Sequence, residues 1–443
     1  MRSVSIIITK SLLFLPVLLF VQVLCAQDNS PWSRYGLGDM LPSANIVNRG
    51  MGHSVAAYSD AQTINFLNPA SYSQFGTQRA IFDIGLDLNN RTIRDNRGKS
   101  YTSSNAYIPY LAGGFQLRGE KSKTNWGIAF GLRPVTKVSY NIVSGSKLSA
   151  GDSVVYNYEG NGGLNQAFVG TGIAIRQFSF GINGGYRFGS KDYTTRVSIL
   201  NDSLPIRYTS GLKEIRNNFG GAFLEAGLQQ RIPVSKNTVL QAGAYAGLAM
   251  RMNFTRDERM ETYLSGGASG APVRLDSVSL IQDIRGTIDY PLSYGFGLLY
   301  DHEGKSRVNI VADYSVVQWS TYRYDKTADF LQDAWQLQLG AQFLPDLKSV
   351  NKKSSGYLYR VGFRYGREPY TVDGNMYNYT ITLGMGMPIR KYSYAEYNRS
   401  NVVNAALEFG QRSNRNSLLR ENYFRFALSF SLSDIWFIKR KYD

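Results

Sequence analysis

From Arg79 to Ser433 the chain is a succession of segments of roughly ten residues in which apolar side chains alternate with polar residues or glycine. Phe178, Phe180, Ile182, Tyr186 and Phe188 fall on one side of such a segment, and Ser179, Asn183 and Arg187 on the other. The same period of two recurs between Trp335 and Phe343 and between Phe424 and Leu432. That pattern, repeated over most of a chain, predicts an all-β protein: an antiparallel transmembrane β-barrel with an apolar outer wall and a polar lumen.

The connections between segments set the strand number. Short turns at residues 119–124, 176–177, 233–237, 301–306, 345–356 and 388–401 alternate with longer connections at 92–106, 134–163, 189–217, 253–289, 318–333, 367–377 and 411–420. Six of one kind and seven of the other join fourteen strands, with both chain ends on the periplasmic side. Several longer connections alternate themselves, as at 195–200, and are expected to rise above the membrane as hairpins.

The inward positions carry the chemistry. The first strand turns Asp83, Gly85 and Asp87 inward, opposite Phe82, Ile84, Leu86 and Leu88. Other strands add Arg133, Glu225, Arg231, Asp313, Arg360, Arg364, Glu408 and Arg425, and Gly181, Gly243, Gly247, Gly384 and Gly386 occupy further inward sites. A glycine there lets another chain segment lie against the wall or lets the strand bend. Both charge signs with so little side-chain bulk point to polar contacts with an internal plug; the alternative is that the charges face water in a channel.

Residues 27–78 supply a plug. They do not alternate, and they are rich in Gly, Asn, Ser and Pro. Yet Trp32, Tyr35, Leu37, Met40, Met51, Phe66, Leu67, Tyr72 and Phe75 are too apolar for a disordered leader, so the segment is expected to fold inside the barrel as a hatch. The expected organisation is therefore a signal peptide at 1–26, a hatch at 27–78, a barrel at 79–433 and a periplasmic tail at 434–443. Arg2 and Lys10 precede an apolar stretch, 12–24, too short to span a membrane and ending in small residues, as in a secretory signal cleaved after Ala26. Cys25 raises a lipoprotein reading, but Leu24 stands where a lipobox takes Gly, Ala or Ser. With cleavage after Ala26 no cysteine remains for disulfide or thiol chemistry.

Gly50, Met51 and Gly52, a small-residue stretch ending in Asp60 and Ala61, and Asn68, Pro69 and Ala70 ahead of the first strand resemble the FadL-type (OMPP1/FadL/TodX-like) outer-membrane transporters. The resemblance implies a fourteen-stranded barrel with an N-terminal hatch that holds the Asn-Pro-Ala signature. The opening stretch 30–39 and the tail with Trp436 and Phe437 look like FadL-type proteins of Bacteroidota. Pro69 forces Asn68 out of the helical region, and the Asn68 side chain can satisfy nearby backbone groups. Asn68–Ala70 is then either a turn leading into the first strand or a ligand gate. The tail either contacts another protein or anchors at the interface.

Composition narrows the function. Lys and Arg number 49 against 33 Asp and Glu, but they are scattered along strands and turns, so lipopolysaccharide phosphates or solvent, and not nucleic acid, are the expected counterparts. Tyr at 31 residues suits strands that cross two interfaces. The two histidines, His53 and His302, sit far apart in sequence and outside any cluster with metal spacing, so neither metal nor other cofactor nor enzyme activity is expected.

The family resemblance implies passive uptake of hydrophobic small molecules, long-chain fatty acids or aromatic hydrocarbons, across the cell outer membrane. Met40, Phe66, Leu67, Phe168 and Tyr245, with Met51, are the candidates for an apolar path. Asp83, Asp87, Glu225, Arg360, Arg364, Glu408 and Arg425 are the expected polar contacts of the lumen. The alternative is a non-transporting accessory or scaffold subunit that binds other outer-membrane proteins, as FadL-like barrels do in type 9 secretion and in the barrel assembly complex.

Overall fold

The computed structural model describes residues 30–76, 79–117, 124–147, 153–200, 209–264, 273–345, 357–371, 374–389, 401–414 and 419–435. The expected signal peptide at 1–26 and the tail beyond Ile435 lie outside the described residues.

Fourteen antiparallel strands close into a barrel. In chain order they are β1 (Arg79–Asp95), β2 (Ser100–Tyr107 and Leu111–Gln116), β3 (Asn125–Lys147), β4 (Ser153–Ile175), β5 (Phe178–Leu200), β6 (Ser210–Ser235) and β7 (Thr238–Gly247 and Met250–Leu264). They continue as β8 (Val273–Tyr290 and Ser293–Glu303), β9 (Arg307–Val317), β10 (Ala334–Leu344), β11 (Leu358–Arg367), β12 (Tyr377–Ile389), β13 (Asn401–Ser413) and β14 (Leu419–Ile435). Each pairs with its neighbours in sequence, and β14 returns to β1 in a register running from Arg79 opposite Ile435 to Asp95 opposite Leu419. Closure leaves no edge in the membrane zone, where an unpaired backbone group would cost several kcal/mol. The last strand extends two residues past the expected limit at Ser433.

The period-two reading of the faces holds in three dimensions. Asp83 and Asp87 are buried while Phe82, Ile84 and Leu86 are exposed, and Ser179, Asn183 and Arg187 are buried beneath exposed Phe178, Phe180 and Ile182. Leu228, Phe296, Leu298, Ile310, Val361 and Ile381 extend the outward apolar face around the ring. A contiguous belt of this kind is typical of outer-membrane barrels. Arg231 departs from expectation: it keeps inward parity but stands exposed at the strand end.

The longer connections are mostly strand. β3, β4 and β5 are each 23 residues and β6 is 26, against the roughly 9–11 a bilayer needs. The segment 134–163, expected as a loop, belongs largely to β3 and β4, which past a bulge between Pro134 and Thr136 stay paired out to Lys147 opposite Ser153. At the other end the turn at 176–177 is as short as its sequence implies, with Arg176 at φ 57° where a two-residue hairpin needs a positive φ.

Candidate functional site

Residues 30–76 touch the wall on all sides. The 3-10 helix Pro69–Gln74 packs against β3, β4, β5 and β6, and the short helix α1 (Ile46–Arg49) packs against β12, β13 and β14. The two-residue strand Asp39–Met40 pairs with Lys137 and Thr136 of β3. The segment thus occupies the space that the ring of strands encloses.

Its local folds follow from its Asn and Gly residues. Asn45 caps α1 by accepting from Asn48 N at 2.8 Å, and its amide donates to Ile64 O at 2.9 Å. Past α1, Gly50, Met51 and Gly52 form a turn in which Gly52 takes φ 67°, a conformation that favours glycine. Gly52 N donates to Thr382 Oγ1 at 3.0 Å, and the same hydroxyl donates to Gly50 O at 3.2 Å. Asn68 accepts from Ala70 N at 3.2 Å and caps the helix that Pro69 begins. Its Nδ2 donates to Ala56 O at 2.6 Å and reaches Ala244 O at 3.3 Å and Leu228 O at 3.4 Å. Both sequence motifs therefore make direct wall contacts.

The wall is shaped to receive them. At Gly362 an added Cβ would lie 2.0 Å from Gly52 N, and at Gly243 it would lie 2.0 Å from Ala56 O. Of the inward glycines named from sequence, Gly85, Gly181, Gly243 and Gly384 face this segment, whereas Gly247 meets Ser293 and Glu225, and Gly386 meets Asn404 and Arg360. Asp313 accepts from Val55 N at 2.5 Å and Ala56 N at 2.7 Å. Asp83 accepts from Tyr110 at 3.2 Å, and Arg360 donates to Gln342 at 2.7 Å and Asn404 at 3.1 Å.

Two ion clusters join segment and wall with opposite polarity. Arg49, fully buried, pairs with Asp87 of β1 and with Glu408 of β13, and Glu408 also faces Arg425 at 3.5 Å and His53 at 3.3 Å. Asp39 pairs with Arg91 of β1 at 2.9 Å and Arg412 of β13 at 2.8 Å, and Arg91 holds Glu421 at 3.0 Å. Burial raises the Asp39 carboxyl, but Arg412 and Arg91 outweigh it and hold the group below the usual carboxylate range. Burial, with Arg364 adding to it, pushes the His53 imidazole down to about 4 against the pull of Glu408. Breaking one partner out of such a buried pair costs about 3–5 kcal/mol.

Asp39, Arg49, Arg91, Arg412 and Glu421 were not among the residues singled out from sequence. Arg49 and Asp39 did offer a signal, as two of the few charges in a segment built largely of small, apolar and amide residues. Arg91 shares the inward parity of Asp83 and Asp87 but stands next to the connection expected at 92–106, Glu421 stands next to the one expected at 411–420, and Arg412 falls within the latter.

The apolar candidates fall in more than one packing cluster. Phe66 and Phe168 are packed as core, ring centroids 6.0 Å apart, with Leu67 against the same cluster. Met40 belongs to a second cluster with Leu37 and Trp319. Met40, Leu67 and Tyr245 do border a common cavity of about 180 Å³, shared with several arginines. A larger recess of about 780 Å³ crosses β2 to β7, where β2 breaks at 108–110 and β3 bulges between Pro134 and Thr136; Leu41, Ile108 and Phe188 line it.

A family model, BamG, matches residues 8–443. The chain belongs to the BamG family. No curated protein matches it in sequence. Among solved structures, it superposes on the Pseudomonas putida toluene transporter TodX with a TM-score of 0.55 at 16% identity, over 90% of this chain and 99% of that one. It superposes on the CymD monoaromatic hydrocarbon channel with a TM-score of 0.53 at 15% identity, over 90% and 99%. For a Pseudomonas aeruginosa FadL homologue the TM-score is 0.53 at 13% identity, over 90% and 100%. At these identities the likeness is one of fold: this BamG-family chain has the barrel architecture of outer-membrane channels.

Proposed function

We propose that the chain is a non-transporting accessory subunit of an outer-membrane machine, the barrel-assembly complex, with its barrel serving as a closed platform in the cell outer membrane. The observation that carries this reading is the way residues 30–76 are fastened: a buried cation and a buried anion of the segment are each seated in opposite charges on β1 and β13. A plug that opens for each passing molecule would have to expose or leave unpaired those charges each time, at several kcal/mol. Phe66 and Phe168, candidates for an apolar path, are instead spent on core packing. Membership of the BamG family supports the same reading. In it, the glycine seats and the Asn68 contacts hold the plug shut, and the tall strands β3 to β8 supply area for protein partners.

The second reading is passive uptake of hydrophobic small molecules. It is favoured by the recess at the β2 break, which brings the segment residue Leu41 together with outward residues such as Phe188. Native mass spectrometry of the full chain extracted in mild detergent separates the two. Stoichiometric protein partners without apolar ligand are expected; a co-purified fatty acid or hydrocarbon with no protein partner would replace the platform reading by uptake.

A further inference from the structure

The cavity of about 180 Å³ between the N-terminal segment and the wall has an unusual lining. Five arginines border it, Arg133, Arg187, Arg364, Arg412 and Arg425, against two carboxylates, Glu225 and Glu368. Three of the arginines already have anionic partners. Arg187 holds Glu225 at 3.1 Å, Arg412 holds Asp39 at 2.8 Å, and Arg425 faces Glu408 at 3.5 Å.

Arg133 and Arg364 form no ion pair among the described residues, although Glu225, which Arg187 holds, acts on Arg133 electrostatically. Arg133 is 5% exposed, its Nε has no hydrogen-bond partner, and its terminal nitrogens reach only Gln166 Oε1 at 3.4 Å and Ser43 O at 3.5 Å. Arg364 is 8% exposed and reaches only two hydroxyls, Thr380 at 3.4 Å and Tyr423 at 3.3 Å. A buried guanidinium without an ion-pair partner is costly, and two of them border the same cavity.

We infer that this cavity is a binding site for one small oxyanion, a phosphate or short carboxylate, held by Arg133 and Arg364. The planar guanidinium matches such oxygens with paired N–H donors, and the anion supplies the charge that the wall leaves out. Size excludes a long chain: ordinary ligand pockets measure about 300–1,000 Å³, and a site of about 180 Å³ takes a compact ion. Met40, Leu67 and Trp319 add apolar surface to the lining, and charge contacts are stronger beside such surface than in open water. The bound ion bridges segment and wall, because Ser43 and Met40 come from one and both arginines from the other. The inference is independent of whether the barrel transports.

The test is equilibrium dialysis of the full chain in nanodiscs with radiolabelled inorganic phosphate, in a chloride buffer of matched ionic strength. Saturable binding of one phosphate per chain is expected, displaced by sulfate or succinate and not by palmitate. Arg133→Gln and Arg364→Gln are each expected to weaken binding at least tenfold, while Arg231→Gln at the exposed strand end leaves it unchanged. Wild-type protein that binds no phosphate saturably would overturn the inference. So would displacement by palmitate, or unchanged binding in both glutamine variants. If a glutamine variant does not fold, Arg364→Lys is read instead: it keeps the charge but loses the paired donors, and binding weakened several-fold supports the site while unchanged binding overturns it.

Discussion

Arg49 and Glu408, 359 residues apart in sequence, meet inside the barrel with Nε donating to Oε1 at 2.5 Å, both side chains fully buried. One lies on a four-residue helix that has little stability of its own, the other in the middle of a wall strand. The wall therefore fixes the helix more than the helix fixes itself.

Replacing Arg49 by Met keeps much of the volume but leaves Asp87 without its ion-pair partner and Glu408 with only the longer contact to Arg425 at 3.5 Å. The docked segment is expected to lose about 3–5 kcal/mol of local stability. Hydrogen exchange of the amides at 45–56 measures this directly. Protection equal to wild type would show that the pair contributes nothing to docking.

A side chain at Gly362 has no room. Its Cβ would stand 2.0 Å from Gly52 N and 2.4 Å from Met51 C. Gly362→Val is expected to expel the Gly50–Gly52 turn and open the segment to protease, while the barrel keeps its heat-resistant mobility on gels. Gly211→Ala is the control, because nothing lies within 4 Å of the Cβ it would add. Equal cleavage of the two variants argues against close packing at Gly362.

If the segment seals the lumen, deleting residues 27–59 leaves a barrel that inserts and conducts ions in a planar bilayer, whereas the intact chain does not. Equal conductance of the two would mean that the segment does not close the pore.

His53 gives the docked segment a pH dependence. Burial and Arg364 hold its imidazole neutral down to about 4, although Glu408 lies 3.3 Å away, and an undocked His53 would titrate near 6.5. A group whose folded value is depressed contributes its full stability above the unfolded value. That contribution is lost as pH falls from about 6.5 toward 4, because the undocked state then binds the proton more readily. Protection of the segment from protease is expected to decline over that window in the wild type and to decline less in His53→Gln. A profile unchanged by His53→Gln would assign the acid sensitivity to other groups.

Much of the barrel can be read from local pattern. Alternation is a property of neighbouring residues, and a one-residue shift moves every side chain to the wrong face, so Asp83, Asp87, Glu408 and Arg425 could be assigned inward from the sequence alone. Turn chemistry likewise gave the tight connection at 176–177. The tall hairpins were harder, because polar residues such as those at 134–163 are as compatible with a solvated strand as with a loop. Inward charge and glycine raised the idea of an interior contact without giving its partners.

What only the tertiary structure decided is which charge meets which. Arg49 with Asp87 and Glu408, and Asp39 with Arg91 and Arg412, join residues tens to hundreds of positions apart, and no periodicity links them. Nor could the sequence show that Phe66 and Phe168 pack as core, or that Arg133 and Arg364 border one cavity without an ion pair of their own among the described residues. Strand pattern is set by neighbours along the chain; the closed interior is set by the order in which fourteen strands return upon themselves, and its chemistry exists only once they have done so.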